Sequence, residues 1–129
     1  MMQILVVDDE ADVRLLFEQR FRREIRAGVF AFTFAYSGEE ALAYLQQGKH
    51  YSEVVLILSD INMPGMSGLE LLRRIKQDHS NPPPTVMMVT AYGDADSYRQ
   101  AMALGANDFL TKPLDFAALR QKLIPLEEA

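Results

Sequence analysis

The strongest constraint on this chain is a hydrophobic period that switches back and forth five times along its length. Short apolar runs rich in β-branched residues, such as Ile4-Leu5-Val6-Val7 and Val55-Leu56-Ile57-Leu58, read as buried strands. Between them, apolar residues recur at helical spacing. Five βα repeats predict an α/β protein, with a parallel sheet covered by helices on both faces. Ile4 to Val7 is the first strand. Val13, Leu16, Phe17, Phe21 and Ile25 mark one helix, with Asp12 in its first turn and Gly28 as its stop. Phe30, Phe32, Phe34 and Tyr36 give the second strand a bulky face, expected to pack on the aromatics of that helix. Ser37-Gly38-Glu39-Glu40 and Ser67-Gly68-Leu69-Glu70 have the form of capping boxes. The first opens a helix buried through Ala41, Leu42 and Leu45, and the second one buried through Leu71, Leu72 and Ile75. Further strands are expected over Glu53–Ser59, Thr85–Thr90 (after Pro82-Pro83-Pro84) and Asn107–Thr111, with helices over Ala95–Leu104 and Phe116–Leu123.

At 129 residues, with 49% hydrophobic and 24% charged content, the chain is expected to form one domain over 1–129, its core spanning about 3–124. A net charge of −5 gives no bulk attraction to nucleic acid or anionic lipid. The absence of cysteine excludes disulfides and thiolate metal sites. No apolar run approaches the roughly 18 residues of a membrane span, and Met1 leaves no room for a leader, so the expected location is the cytoplasm.

Four of the strands end on polar residues: Asp8 and Asp9, Asp60, Thr90, and Lys112. In a parallel sheet these ends lie together, where open α/β sheets bind their ligands. Two carboxylates about 4 Å apart repel by ~4 kcal/mol at an effective dielectric near 20, so protonation or a divalent cation must offset them. A donor set of oxygens alone suits a hard ion, Mg²⁺ above all. Lys112 and Thr90 add an ammonium and a hydroxyl that can hold phosphoryl oxygens. Each residue alone has a plainer reading. Asp8 and Asp9 would suit the start of the next helix, Lys112 a solvated strand end, and Thr90 an ordinary strand position.

Taken together, Val7-Asp8-Asp9-Glu10, Ser59-Asp60-Ile61-Asn62-Met63-Pro64-Gly65-Met66-Ser67-Gly68, Val89-Thr90-Ala91 and Thr111-Lys112-Pro113 resemble the receiver domains of two-component response regulators, from Ile4 to about Leu123. The resemblance implies a flavodoxin-like (βα)5 three-layer sandwich whose five-stranded parallel sheet has the order 2-1-3-4-5. It implies that Asp60 accepts phosphate from a phosphohistidine on a sensor histidine kinase or histidine phosphotransferase. Mg²⁺, for which Mn²⁺ can substitute, would be held by Asp8, Asp9, Asp60 and the Asn62 backbone carbonyl. Lys112 would pair with the phosphate, and a cis bond before Pro113 would aim it into the cleft. Thr90 and Phe109 would form the switch, with Phe109 in place of the more usual tyrosine; a plain core role for Phe109 stays open. Asn62 and Tyr92 would set phosphate lifetime, with a bulky Tyr92 slowing hydrolysis. The face made by the fourth expected helix, fifth strand and fifth helix (Tyr98, Met102, Phe109, Leu119) would contact an output domain, a downstream protein or a second copy. No substrate turnover is implied.

The chain is longer than the family pattern between Phe21 and Phe34 and between Gln47 and Val54. Arg20, Arg22, Arg23 and Arg26 crowd the end of the first helix, as a solvated face or as a surface for an acidic partner. A flavodoxin-type cofactor binder would need a phosphate loop where Asp8-Asp9-Glu10-Ala11-Asp12 stands. A haloacid-dehalogenase-like phosphatase would set its two aspartates one residue apart and carry a cap. A degenerate receiver serving as a protein scaffold would lack the full acidic and basic set. With no effector sequence after Ala129, both a stand-alone receiver and a segment of a longer protein stay open.

Overall fold

The computed structural model describes residues 1–77, 83–91 and 93–128. Its elements run β1 (Met2–Val7), α1 (Asp12–Arg20), α2 (Arg22–Arg26), β2 (Phe30–Ala35), α3 (Gly38–Leu45), α4 (His50–Glu53), β3 (Val54–Asp60), α5 (Gly68–Gln77), β4 (Thr85–Ala91), α6 (Ala95–Ala103), β5 (Asp108–Lys112) and α7 (Phe116–Glu128). The five strands are parallel, in the order β2-β1-β3-β4-β5, as the flavodoxin-like expectation required.

Period-two alternation divides the core between the two faces of the sheet. Leu5, Val7, Ile57, Val86 and Met88 point to one face, where Leu42 and Leu45 of α3, Leu71, Leu72 and Ile75 of α5, and Ala101 of α6 cover them. Ile4, Val6, Leu56, Leu58, Met87 and Val89 point to the other, under Phe17, Phe21, Leu119 and Leu123. Phe30, Phe32 and Phe34 of the second strand's aromatic row belong to this core, with Phe17 edge-on to Phe32 at 5.5 Å and Phe21 to Phe30 at 5.8 Å, whereas Tyr36 lies past the strand's end and is 37% exposed.

Both serines cap as expected, with Ser37 Oγ accepting from Glu40 N at 3.0 Å and Ser67 Oγ from Glu70 N at 3.2 Å. The return half of each box differs. Glu40 accepts from Tyr36 N, one residue before the cap, and Glu70 turns outward to Arg73 and Arg74.

Other expectations need correction. The first helix is two, hinged at Phe21 (φ −110°, ψ 24°), whose fully buried ring anchors it to the core. Leu16 is 43% exposed, so the buried stripe of α1 is narrower than its apolar spacing suggested. The short helix α4 occupies a segment read as connection. The last helix continues beyond Leu123, through Pro125; the carbonyl left unpaired there belongs to exposed Gln121, which water can serve. β3, β4 and β5 each extend one residue further than expected, so Asp60 and Lys112 are themselves strand residues.

Two ion pairs fasten α7: Arg120 Nε donates to Glu24 Oε2 at 2.7 Å and Lys122 Nζ to Asp108 Oδ2 at 2.6 Å. Burial works against both carboxylates, but these hydrogen bonds prevail and hold Glu24 and Asp108 below their usual values. A folded-state pKa below the unfolded one contributes stability above the ordinary carboxylate range, lost as pH falls through the lowered value. Hydrogen-exchange protection of α7 should therefore hold at neutral pH and drop below about pH 4. Asp108→Asn should reduce that drop, and a pH-independent protection would contradict the assignment. Among the described residues, no helix is long and apolar enough to cross a membrane.

Candidate functional site

The register of the sheet brings the polar strand ends together. Val7 pairs with Ser59, Asp60 with Val89, and Ala91 with Lys112, so Asp8, Asp60, Thr90 and Lys112 share one edge. Asp60 ends β3 at 4% exposure and Asp8 follows β1 at 9%, while Asp9 faces solvent. Carboxylate oxygens of all three lie within 4.8 Å of one another. Lys112 Nζ donates to Asp60 Oδ2 at 2.8 Å and stands 3.8 Å from Asp8 Oδ2 and 3.7 Å from Glu10 Oε1. The Lys112–Pro113 bond is cis.

Burial, reinforced by the charge of Asp60, raises the Asp8 carboxyl above its usual value despite the Glu10 N–H that donates to it at 2.9 Å. For Lys112, burial alone would lower the ammonium. Its hydrogen bond to Asp60, with the charges of Asp60, Asp8 and Glu10, outweighs burial and raises it. One ammonium thus faces three carboxylates of the cleft, and negative charge remains in surplus.

Thr90 is 2% exposed, and its Oγ1 has no hydrogen-bond partner among the described residues. Buried hydroxyls are normally satisfied, so this orphan near a cluster of charges calls for an explanation. Beside it a cavity of about 210 Å³ is lined by Thr90, Ala91, Asp94, Tyr98, Phe109 and Thr111, among others. Phe109 is half-buried there, its ring 4.2 Å from that of Tyr98. Tyr98 and Met102 are exposed, as expected of a contact face. Leu119 is not, being fully buried in the core, and leaves that face.

The loop after β3 is fixed at one end to the Asp60 side chain and at the other to the Ile61 carbonyl. Asn62 N donates to Asp60 Oδ1 at 3.3 Å, and Gly68 N donates to Ile61 O at 2.8 Å. A Cβ on Gly68 would stand 2.0 Å from the Asp60 carbonyl oxygen, so only glycine lets α5 begin here. Sequence reasoning gave neither Gly68 nor Glu10 a role. A glycine in the first turn of a helix, where no unusual φ calls for it, was the available signal. Tyr92 lies outside the described residues.

Residues 4–124 match the family model of the response regulator receiver domain. The chain belongs to that family. This receiver is 39% identical to the response regulator protein PilR of Pseudomonas aeruginosa over 91% of its own length, and 34% identical to sporulation initiation phosphotransferase F of Bacillus subtilis over 97%. It spans only 24% of PilR, but 95% of the Bacillus protein. Among solved structures, it superposes on a receiver domain from Clostridium thermocellum with a TM-score of 0.83 (26% identity, covering 99% and 95% of the two chains). The chemotaxis protein CheY4 of Vibrio cholerae gives 0.81 (27%, covering 98% of each).

Proposed function

We propose that this receiver takes up a phosphoryl group on Asp60 from a phosphohistidine of a sensor histidine kinase or histidine phosphotransferase. The observation that carries the reading is the buried Asp60 carboxylate, gripped by Lys112 and flanked by the orphan hydroxyl of Thr90. A carboxylate oxygen attacks phosphorus, and the P–N bond breaks with its electron pair remaining on the ring nitrogen, which takes a proton. Lys112 then trades part of its bond to Asp60 for a phosphoryl oxygen, and Thr90 Oγ1 gains the acceptor it lacks. The donor set fits a hard cation: three carboxylates whose oxygens lie within 4.8 Å of one another, an excess of negative charge, and no nitrogen or sulfur. Mg²⁺ held by Asp8, Asp9, Asp60 and the Asn62 carbonyl would neutralise charge on the transferring group. Asn62 stands exposed at the mouth and tunes access of water to the product.

Rotation of Thr90 toward the phosphate enlarges the cavity beside Phe109, favouring an inward ring that exists already as a minor state. The changed surface of α6, β5 and α7 passes the signal to an output domain, a downstream protein or a second copy, in the cytoplasm. Incubation with acetyl phosphate tests the chemistry. A single phosphoryl mass increment should appear with Mg²⁺ and vanish with chelator. Turnover of free phosphate esters without a protein adduct would replace the reading with that of a phosphatase.

A further inference from the structure

Where α1 hinges into α2, Arg20, Arg22, Arg23 and Arg120 gather round a surface cavity of about 420 Å³, its wall completed by Gln19 and Glu24. In a chain of net charge −5 this is a local reversal of sign. The single carboxylate is already engaged, since Glu24 Oε2 accepts from Arg120 Nε. Neither Arg22 nor Arg23 forms an ion pair among the described residues. The carbonyl end of α1 favours a cation at Arg20 and the last turn of α2 one at Arg23, but Arg22 opens α2, where a helix dipole gives no such support. Three guanidiniums are left unbalanced and repel one another across one concavity.

Two of the four side chains are held in place. The Arg20 guanidinium lies 5.6 Å from the centroid of Phe116 and that of Arg120 4.9 Å from Phe21. Arg120 is fixed further by its bond to the Arg20 carbonyl at 2.7 Å. Planar forks anchored on aromatic faces lose little entropy when their edges take up an oxyanion. A solvated face would show neither the concavity nor the anchoring.

We propose that this cavity binds a compact multivalent phosphate, a diphosphate group. Guanidinium forks match phosphate oxygens bidentately, and three unbalanced charges call for more than one carboxylate. The volume lies in the lower part of the small-molecule range. No aromatic face among the lining residues is open to stack a nucleobase; the nearest rings, Phe21 and Phe116, are covered by the arginines themselves. A bound diphosphate would bridge α2 to α7. It would also engage Arg20, which lines the neighbouring groove leading to Asp8 and Lys112.

The test is a titration of the chain with sodium pyrophosphate in the absence of divalent cations, followed by calorimetry and by NMR of the arginine side chains. Saturable one-site binding is expected, with shifts at Arg20, Arg22, Arg23 and Arg120. Arg22→Ser should weaken it about tenfold. Its melting temperature should stay unchanged, because the side chain is exposed and unpaired. Arg26→Ser removes the same charge outside the cavity and should change affinity less than about twofold. The proposal falls if binding does not saturate, if the shifts centre on Lys112 and Thr90, or if the two variants lose affinity equally. Displacement of pyrophosphate by a lower concentration of a polyglutamate peptide would also overturn it, assigning the cavity to an acidic protein segment.

Discussion

Asp60→Asn should leave the protein unable to acquire a phosphoryl group from acetyl phosphate, with uptake reduced by roughly three orders of magnitude or more. An amide oxygen is a poor nucleophile, yet the substitution disturbs little else. The new side-chain amide can still accept from Asn62 N through its Oδ1. Lys112, whose ammonium would then face the amide nitrogen, loses that bond and turns to Asp8 and Glu10, 3.8 and 3.7 Å away, so it is not stranded. Relief of the repulsion between Asp60 and Asp8 lets the Asp8 carboxyl fall back toward its usual value. The variant should therefore fold, and intact-mass spectrometry with a melting curve reads both halves of the prediction. An undiminished phosphoryl adduct on the variant would place the acceptor elsewhere.

Gly68→Ala should be more damaging to the fold than any change in the acidic cluster. Its Cβ would meet the Asp60 carbonyl oxygen at 2.0 Å and the Ile61 Cα at 2.7 Å, both backbone atoms. The start of α5 must retreat by about an ångström, stretching the Gly68 N to Ile61 O hydrogen bond. Overpacking against backbone costs ~3 kcal/mol, a fall in melting temperature on the order of 10 °C. Because the displaced carbonyl belongs to Asp60, the proposed acceptor, phosphoryl uptake should also drop by about a hundredfold. Ser67→Ala separates the two effects: it removes a helix cap worth ~1 kcal/mol and should leave uptake nearly intact. Equal losses in the two variants would mean that the close approach of Gly68 has no bearing on Asp60.

Much of this was legible in the residues because strand burial and site chemistry are coupled in the chain. Each apolar run gives way to polar residues within two positions of its end, so locating the strands also narrowed the search to Asp8, Asp60, Thr90 and Lys112. The order of the sheet was not legible in that way; it came with the family resemblance. What stayed hidden depends on distances between elements. A glycine in the first turn of a helix hints at a close approach, but nothing local to Gly68 says that the neighbour is a carbonyl of β3. Phe21 reads as one more helical apolar residue until its ring is seen locked between Phe30 and Phe116. Leu119 was misplaced for another reason. Its spacing to Leu123 already marked the buried stripe of α7, but the family pattern drew it to the surface instead.

The bulge in β3 confines an irregularity of the sheet to the end remote from the acidic cluster. Gln3 pairs with Val54 and Ile4 with Leu56, so Val55 is looped out and left 39% exposed. The slip is absorbed there, directly after α4, and from Leu56 to Ser59 the pairing with β1 is regular. One residue of slip before the reacting end thus leaves Asp60 on its rung of the ladder. The far end of the sheet can change its pairing without disturbing the spacing of Asp8 and Asp60 at the acidic cluster.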